Sequence, residues 1–162
     1  MSEITNILLL ALLIGICLIA YFSVLQTLFP ARTERARFIA ETSPTRAFFV
    51  GLVNFLFFGA ICLVSLTLGE KVHGIFLIPG LIVLAVLLFA LSLGLTGIVQ
   101  LAGNRLFPEK SPFARTAWGT AIVYLACLTP FVGWFGLFIY VGLLGIGAFI
   151  LTFFQPKTLP AE

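Results

Sequence analysis

The chain has 162 residues, of which 61% are hydrophobic and 9% charged, with a mean hydropathy of +1.20 and a formal net charge of +3. Soluble domains average about 25% charged residues, so this composition excludes an ordinary water-soluble fold. The length suits a single membrane domain and leaves no stretch outside the apolar runs able to bury its own core. Any soluble catalytic domain is expected to come from another chain.

Four apolar runs carry no acid, base or histidine: Ile7–Phe29, Ala47–Leu68, Ile75–Ala102 and Thr116–Phe154. A charge-free run of about 18 residues or more is the signature of a transmembrane helix. The N-terminus carries Glu3 and no Lys or Arg. A cleaved signal peptide needs a basic start and a small-residue cleavage site, so the first run is expected to be retained. The segment Pro30–Thr45 reads as a loop, within which Arg32, Arg35 and Arg37, with Phe38 and Ile39, could form a short helix lying on the membrane surface.

The last run demands a break. As one helix, Thr116–Phe154 would reach roughly 58 Å at about 1.5 Å per residue, against a hydrocarbon core of about 30 Å. Pro130, Gly133 and Gly136 mark the place, since Pro removes a helix hydrogen bond and Gly permits a turn. The expected fold is an all-α integral membrane bundle of about five passages, near 7–29, 47–68, 75–102, 116–130 and 134–154. The tail 155–162 is expected to be flexible. A re-entrant hairpin at Pro130 is the alternative. Trp118 and Trp134 would lie near opposite interfaces, where aromatic belts form.

The basic residues set the threading. Arg32, Arg35, Arg37, Arg46, Arg105, Lys110 and Arg115 flank the first and third loops, whereas the second holds only Lys71 beside Glu70. Short loops rich in Lys and Arg stay cytoplasmic. The N-terminus is therefore expected outside a cell inner membrane and the C-terminus inside. The same seven cations are the candidate sites for anionic headgroups, at about 1 kcal/mol each, or for a partner protein. Plain topology determination is the competing reading.

Two blocks match. Leu28-Phe29-Pro30 followed by Ser43-Pro44 and Gly51 recurs as Leu106-Phe107-Pro108 followed by Ser111-Pro112 and Gly119. A parallel two-fold repeat explains the match. So does convergence on good cap chemistry, with Pro ending one helix and Ser-Pro starting the next.

Chemistry is sparse. The chain has no Asp, and its acids (Glu3, Glu34, Glu41, Glu70, Glu109 and Glu162) lie at termini or in loops. Carboxylate pairs and Mg²⁺ sites are hard to build from these. His73 is the lone histidine, which argues against a bis-histidine haem and leaves a pH-sensing or simply solvated loop residue. Cys17, Cys62 and Cys127 lie in separate runs and read as small hydrophobes. No cofactor, metal site or nucleic-acid patch is expected. No charge lies within the apolar runs, which argues against ion-coupled transport. Gln26, Asn54, Gln100 and Asn104 could line a polar vestibule or hydrogen-bond between helices. Ala90 with Gly94, and Gly142, Gly145 and Gly147, suit close helix packing within the chain or between copies.

The pattern of Leu-Phe-Pro, a basic loop, Pro with Arg and an early Gly, continued by Thr129-Pro130-Phe131-Val132-Gly133-Trp134 and a Gly-rich last helix, resembles the multi-pass membrane region associated with bactofilin-type polymer-forming cytoskeletal proteins. The likeness runs from about Phe29 to Phe154, and the chain lacks the Val/Gly-rich bactofilin repeats. A weaker likeness is to the five-pass Yip1-like proteins. Both imply a membrane-organising role and carry over no catalytic residues. The expected function is a non-enzymatic structural or accessory subunit, or membrane anchor, whose basic loops meet anionic lipid or a partner, with homo-oligomerisation an open alternative. A passive channel, small-solute transporter or lipid translocase is the second reading, with Gln100 and Asn104 at its mouth and Pro130 as its gate.

Overall fold

A computed structural model describes residues 2–71 and 74–154; His73 and the tail 155–162 lie outside the described residues. Those residues form helices α1 (Ser2–Leu28), α2 (Pro30–Thr42), α3 (Pro44–Lys71), α4 (Leu77–Leu106), α5 (Pro112–Leu128) and α6 (Phe138–Leu151), with no strand among them. A 3₁₀ turn (Gly74–Phe76) precedes α4, and a π-helical stretch (Val132–Leu137) precedes α6. Four helical segments are long and apolar enough to cross a membrane: Glu3–Leu28, Pro44–Lys71, Gly74–Leu106 and Val132–Leu151. The protein is thus an all-α chain of membrane type.

The helices outrun the apolar runs because proline and serine set their ends. Pro30, Pro44 and Pro112 each occupy the first helical position, where the missing N–H costs nothing and the fixed φ is already helical. Ser43 serves two helices. Its N–H donates to the Ile39 carbonyl to close α2 (2.9 Å), and its own carbonyl accepts from Ala47 N to open α3 (3.0 Å). Ser111 caps α5 by accepting from Ala114 N at 3.4 Å. Phe107 closes α4 by donating to the Gly103 carbonyl at 2.9 Å.

The segment Pro30–Thr45, read as a loop able to hold a short surface helix, is mostly helix, and that helix is docked on protein. In α2, Thr33, Ala36, Ile39 and Ala40 are buried against α4 and α6. Their spacing repeats every three or four residues, which places them on one helical face. Arg32, Glu34, Arg35 and Arg37 take the other positions. The contact is close: a β-carbon on Gly97 of α4 would stand 2.8 Å from Arg37 N.

Helix α6 lies at the centre, packed on α3, α4 and α2. Lipid-immersed helices gain little from the hydrophobic effect, so backbones must approach for dispersion to act, and small residues permit that. Gly94 of α4 meets Gly145 of α6 backbone to backbone, and Gly147 of α6 meets Ala47 and Gly51 of α3. Gly119 of α5 similarly meets Val99 of α4, and Gly103 of α4 meets Arg115. The small-residue motifs around Gly94, Gly145 and Gly147 are therefore used within the chain. Gly142 meets only a Leu91 methyl at 3.7 Å, an ordinary contact.

Helix α1 packs mainly on α5, and its N-terminal half is exposed. Helices α5 and α6 share the Pro130 turn and both pack on α4, but α5 also takes α1 whereas α6 also takes α3 and α2. An apolar cavity of about 560 Å³ lies between them, with Val123 and Cys127 on one wall and Phe138 and Gly142 on the other.

Candidate functional site: the basic end and the Pro130 turn

Helix polarity and contacts bring the basic residues to one end of the bundle. Arg105 near the end of α4 pairs with Glu41 near the end of α2 at 3.5 Å. Arg37 pairs with Glu34 one turn earlier at 3.6 Å. Both pairs are part-exposed, and such pairs contribute about 0–1 kcal/mol. Arg115 is committed to the fold. Its Nε donates to the Lys110 carbonyl at 2.6 Å and one terminal nitrogen donates to Asn104 Oδ1 at 3.4 Å. It thereby ties the α4–α5 connection to both helices.

The other four cations have no carboxylate partner among the described residues. Arg32 lies over the Phe153 ring, 4.6 Å from its centroid. Lys110 lies over Trp118 at 4.7 Å and Phe107 at 5.1 Å. Such contacts hold a cation at about 0.5–1 kcal/mol where exposed, without using its hydrogen-bond donors. Arg46 is exposed on the first turn of α3, and Arg35 is half-buried on α2. The basic end therefore divides into three guanidinium groups that already have a carboxylate, carbonyl or amide partner in the chain and four cations that have no carboxylate partner among the described residues.

The uncharged polar residues pair across helices. Gln26 of α1 accepts from the Thr116 hydroxyl of α5. Gln100 of α4 is 8% exposed, and its amide donates to Thr33 Oγ1 of α2 at 3.4 Å. Asn104 holds Arg115, and Asn54 donates back to the Val50 carbonyl of its own helix at 2.8 Å. They do not converge on a shared vestibule. Ser23, near the end of α1, has a buried hydroxyl with no partner among the described residues.

The break falls at Pro130, as the apolar length requires. Thr129 and Pro130 end α5, and Phe131 takes φ 65° and ψ −67°, with Val132 N donating to the Pro130 carbonyl at 2.9 Å. This is a γ-turn of the strained, positive-φ kind. Gly133 is required by close approach, since a β-carbon there would stand 2.6 Å from the carbonyl oxygens of Ala126 and Cys127. Gly136 faces open space, so it is not needed for the turn. Trp118 and Trp134 lie at opposite ends of the α5–α6 pair, both exposed.

Among the described residues no group of three or more His, Cys, Asp or Glu gathers in a metal-binding arrangement. Cys62 is half-buried, with its thiol 3.6 Å from the Gly80 carbonyl. The sequence reading missed the docking of α2 and the aromatic seat under Arg32. The first was signalled by Thr33, Ala36 and Ala40, small residues at helical spacing within a basic segment. The second carried no local signal, because Arg32 and Phe153 are far apart in the chain.

Four membrane-length helices with a basic face at one end define a multi-pass membrane protein. Comparison with known protein families, with curated proteins and with solved structures gives no match.

Proposed function

We propose that this is a non-enzymatic structural or accessory protein of a bacterial inner membrane, whose basic end faces the cytoplasm and meets anionic lipid or a partner protein. The observation that carries the reading is the division of the basic residues. Arg37, Arg105 and Arg115 already have partners within the protein, whereas Arg32, Arg35, Arg46 and Lys110 have no carboxylate partner among the described residues. Positive charge with open donors at one end of a membrane bundle attracts anionic headgroups and acidic surfaces. The likeness to the membrane region of bactofilin-type proteins agrees with this role.

The threading has five passages in this reading. Helix α5, Pro112–Leu128, has 17 residues and rises roughly 26 Å at about 1.5 Å per residue. That is close to the hydrocarbon thickness of about 30 Å, so α5 is a short fourth passage. The two matching blocks are one motif used twice. Support comes from Gly51 and Gly119, which occupy equivalent positions and each make a backbone-close helix crossing. The partners are α6 for α3 and α4 for α5, so α6 stands to α3 as α4 stands to α5. Helix α1 takes no such place beside α3.

The test is capture from mild detergent together with flotation on anionic vesicles. Arg35→Gln combined with Arg46→Gln should weaken either vesicle binding or retention of a co-purifying protein. Unchanged binding of both would refute the proposal. A passive channel or lipid translocase is the competing reading. Burial of Gln100 against Thr33 weighs against a polar mouth there. Solute or lipid flux in reconstituted liposomes, abolished by Gln100→Ala and Pro130→Ala, would favour the translocation reading.

A further inference from the structure

A groove of about 1060 Å³ runs along the side of the bundle between α3, α4 and α6. On α4 it extends from Ile82 to Leu93, roughly 17 Å at about 1.5 Å per residue. One leaflet of hydrocarbon is half of about 30 Å, so the groove matches a leaflet in length. Its lining is apolar except for Asn54 and Arg32. Asn54 directs its amide back into its own helix, which leaves Arg32 as the only charge among the described lining residues.

Arg32 is held there by aromatic rings. Phe29 meets Phe89 edge-on at 5.8 Å, Phe89 meets Phe149 at 6.1 Å, and Phe149 meets Phe153 at 5.3 Å. The Arg32 guanidinium rests on the last ring, at 4.6 Å. These contacts occupy one face of the guanidinium. Its five N–H donors make no hydrogen bond or ion pair to any described residue. A planar cation with open donors, beside a leaflet-long apolar groove, has the two chemistries of an anionic phospholipid in the right order.

We infer that this groove is a specific site for one anionic phospholipid, with an acyl chain laid along α4 and the headgroup phosphate on Arg32. The inference rests on the basic end facing headgroups and adds a defined site to that reading. The phosphate accepts from two guanidinium nitrogens side by side, the geometry that suits Arg better than Lys. The acyl chain covers Ile82, Val86 and Phe89, all of which are exposed in the protein alone.

The test is native mass spectrometry of the full chain in detergent micelles with added dioleoyl phosphatidylglycerol, dioleoyl phosphatidylcholine or dihexanoyl phosphatidylglycerol. One long-chain phosphatidylglycerol should be retained per chain at about tenfold lower concentration than phosphatidylcholine, as a charge-assisted hydrogen bond implies. Arg32→Gln should erase that preference, and Arg46→Gln, outside the groove, should keep it. Val86→Trp, which fills the groove, should reduce retention of both long-chain lipids. Preference that survives Arg32→Gln, equal loss with Arg46→Gln, or equal retention of the short-chain lipid would overturn the site. The broader reading fails separately. A single Arg32-dependent lipid that persists while Arg35→Gln/Arg46→Gln changes neither vesicle nor partner binding would keep the groove and remove the general basic interface. Many weak Arg35- and Arg46-dependent lipids with no Arg32-dependent one would do the reverse.

Discussion

Gly147 of α6 rests so closely on α3 that a β-carbon there would overlap the carbonyl oxygen of Ala47. Gly51, one turn further along α3, makes the reciprocal approach to Leu143 of α6. The crossing is made of backbone on backbone. Bilayer hydrocarbon is as apolar as any side chain, so tight dispersion contact is what holds such helices together.

Replacing Gly147 with Ala should therefore force α6 away from α3. Overpacking of this kind costs about 1–3 kcal/mol. Gly59→Ala is the control, because a β-carbon there meets nothing within 4 Å. Thermal unfolding in detergent should show a clear loss for Gly147→Ala and none for Gly59→Ala. Equal behaviour of the two variants would contradict the packing described.

The basic residues should separate in the same assay. Arg115→Ala removes its hydrogen bonds to the Lys110 carbonyl and to Asn104, and bonds to a charged group are worth about 1.5–3 kcal/mol when part-buried. Arg46→Ala removes an exposed side chain and should leave stability unchanged. Hydrogen exchange should also quicken across the α4–α5 connection in Arg115→Ala alone. A stability loss in Arg46→Ala as large as in Arg115→Ala would contradict this division.

Phe131 holds a positive φ of 65° while 79% exposed. A sparsely populated backbone state such as this γ-turn costs a non-glycine residue about 1–3 kcal/mol. Phe131→Gly should consequently be more stable than Phe131→Ala by about 1 kcal/mol or more, the size of that strain. Both variants lose the same ring, so the comparison isolates the backbone. Unfolding titrations that rank Ala above Gly would show that no strain is relieved.

Single cysteines at Lys110 and Lys71, in a background without Cys17, Cys62 and Cys127, should react with a membrane-impermeant thiol reagent from opposite faces. A third at Arg46 should follow Lys110, because the ends of α1, α4 and α6 and the starts of α3 and α5 share one end of the bundle. Labelling of Lys71 and Lys110 from the same side would remove the threading.

Much of the fold was legible residue by residue. The apolar runs, the Ser-Pro starts at Ser43 and Ser111 and the need for a break at Pro130 follow from local chemistry. Lipid penalises an open backbone, proline stops a helix and serine caps one. The small-residue motif at Gly94 was also readable, although its partner Gly145 was not. The segment after Pro30 misled because its arginines masked the stripe of Thr33, Ala36 and Ala40. Polarity suggested a loop or a short helix on the membrane surface, whereas burial against α4 made it part of the core.

Sequence determined what each segment must avoid: charge within the hydrocarbon and an uninterrupted helix from Thr116 to Phe154. These are constraints between a residue and its solvent or its neighbours in the chain, so they need no third dimension. Tertiary structure decided which arginines are spent and which are free, that α6 rather than α1 crosses α3, and that Arg32 meets Phe153 beside a groove. Those outcomes depend on residues distant in the chain meeting in space, and only the packed helices fix that distance.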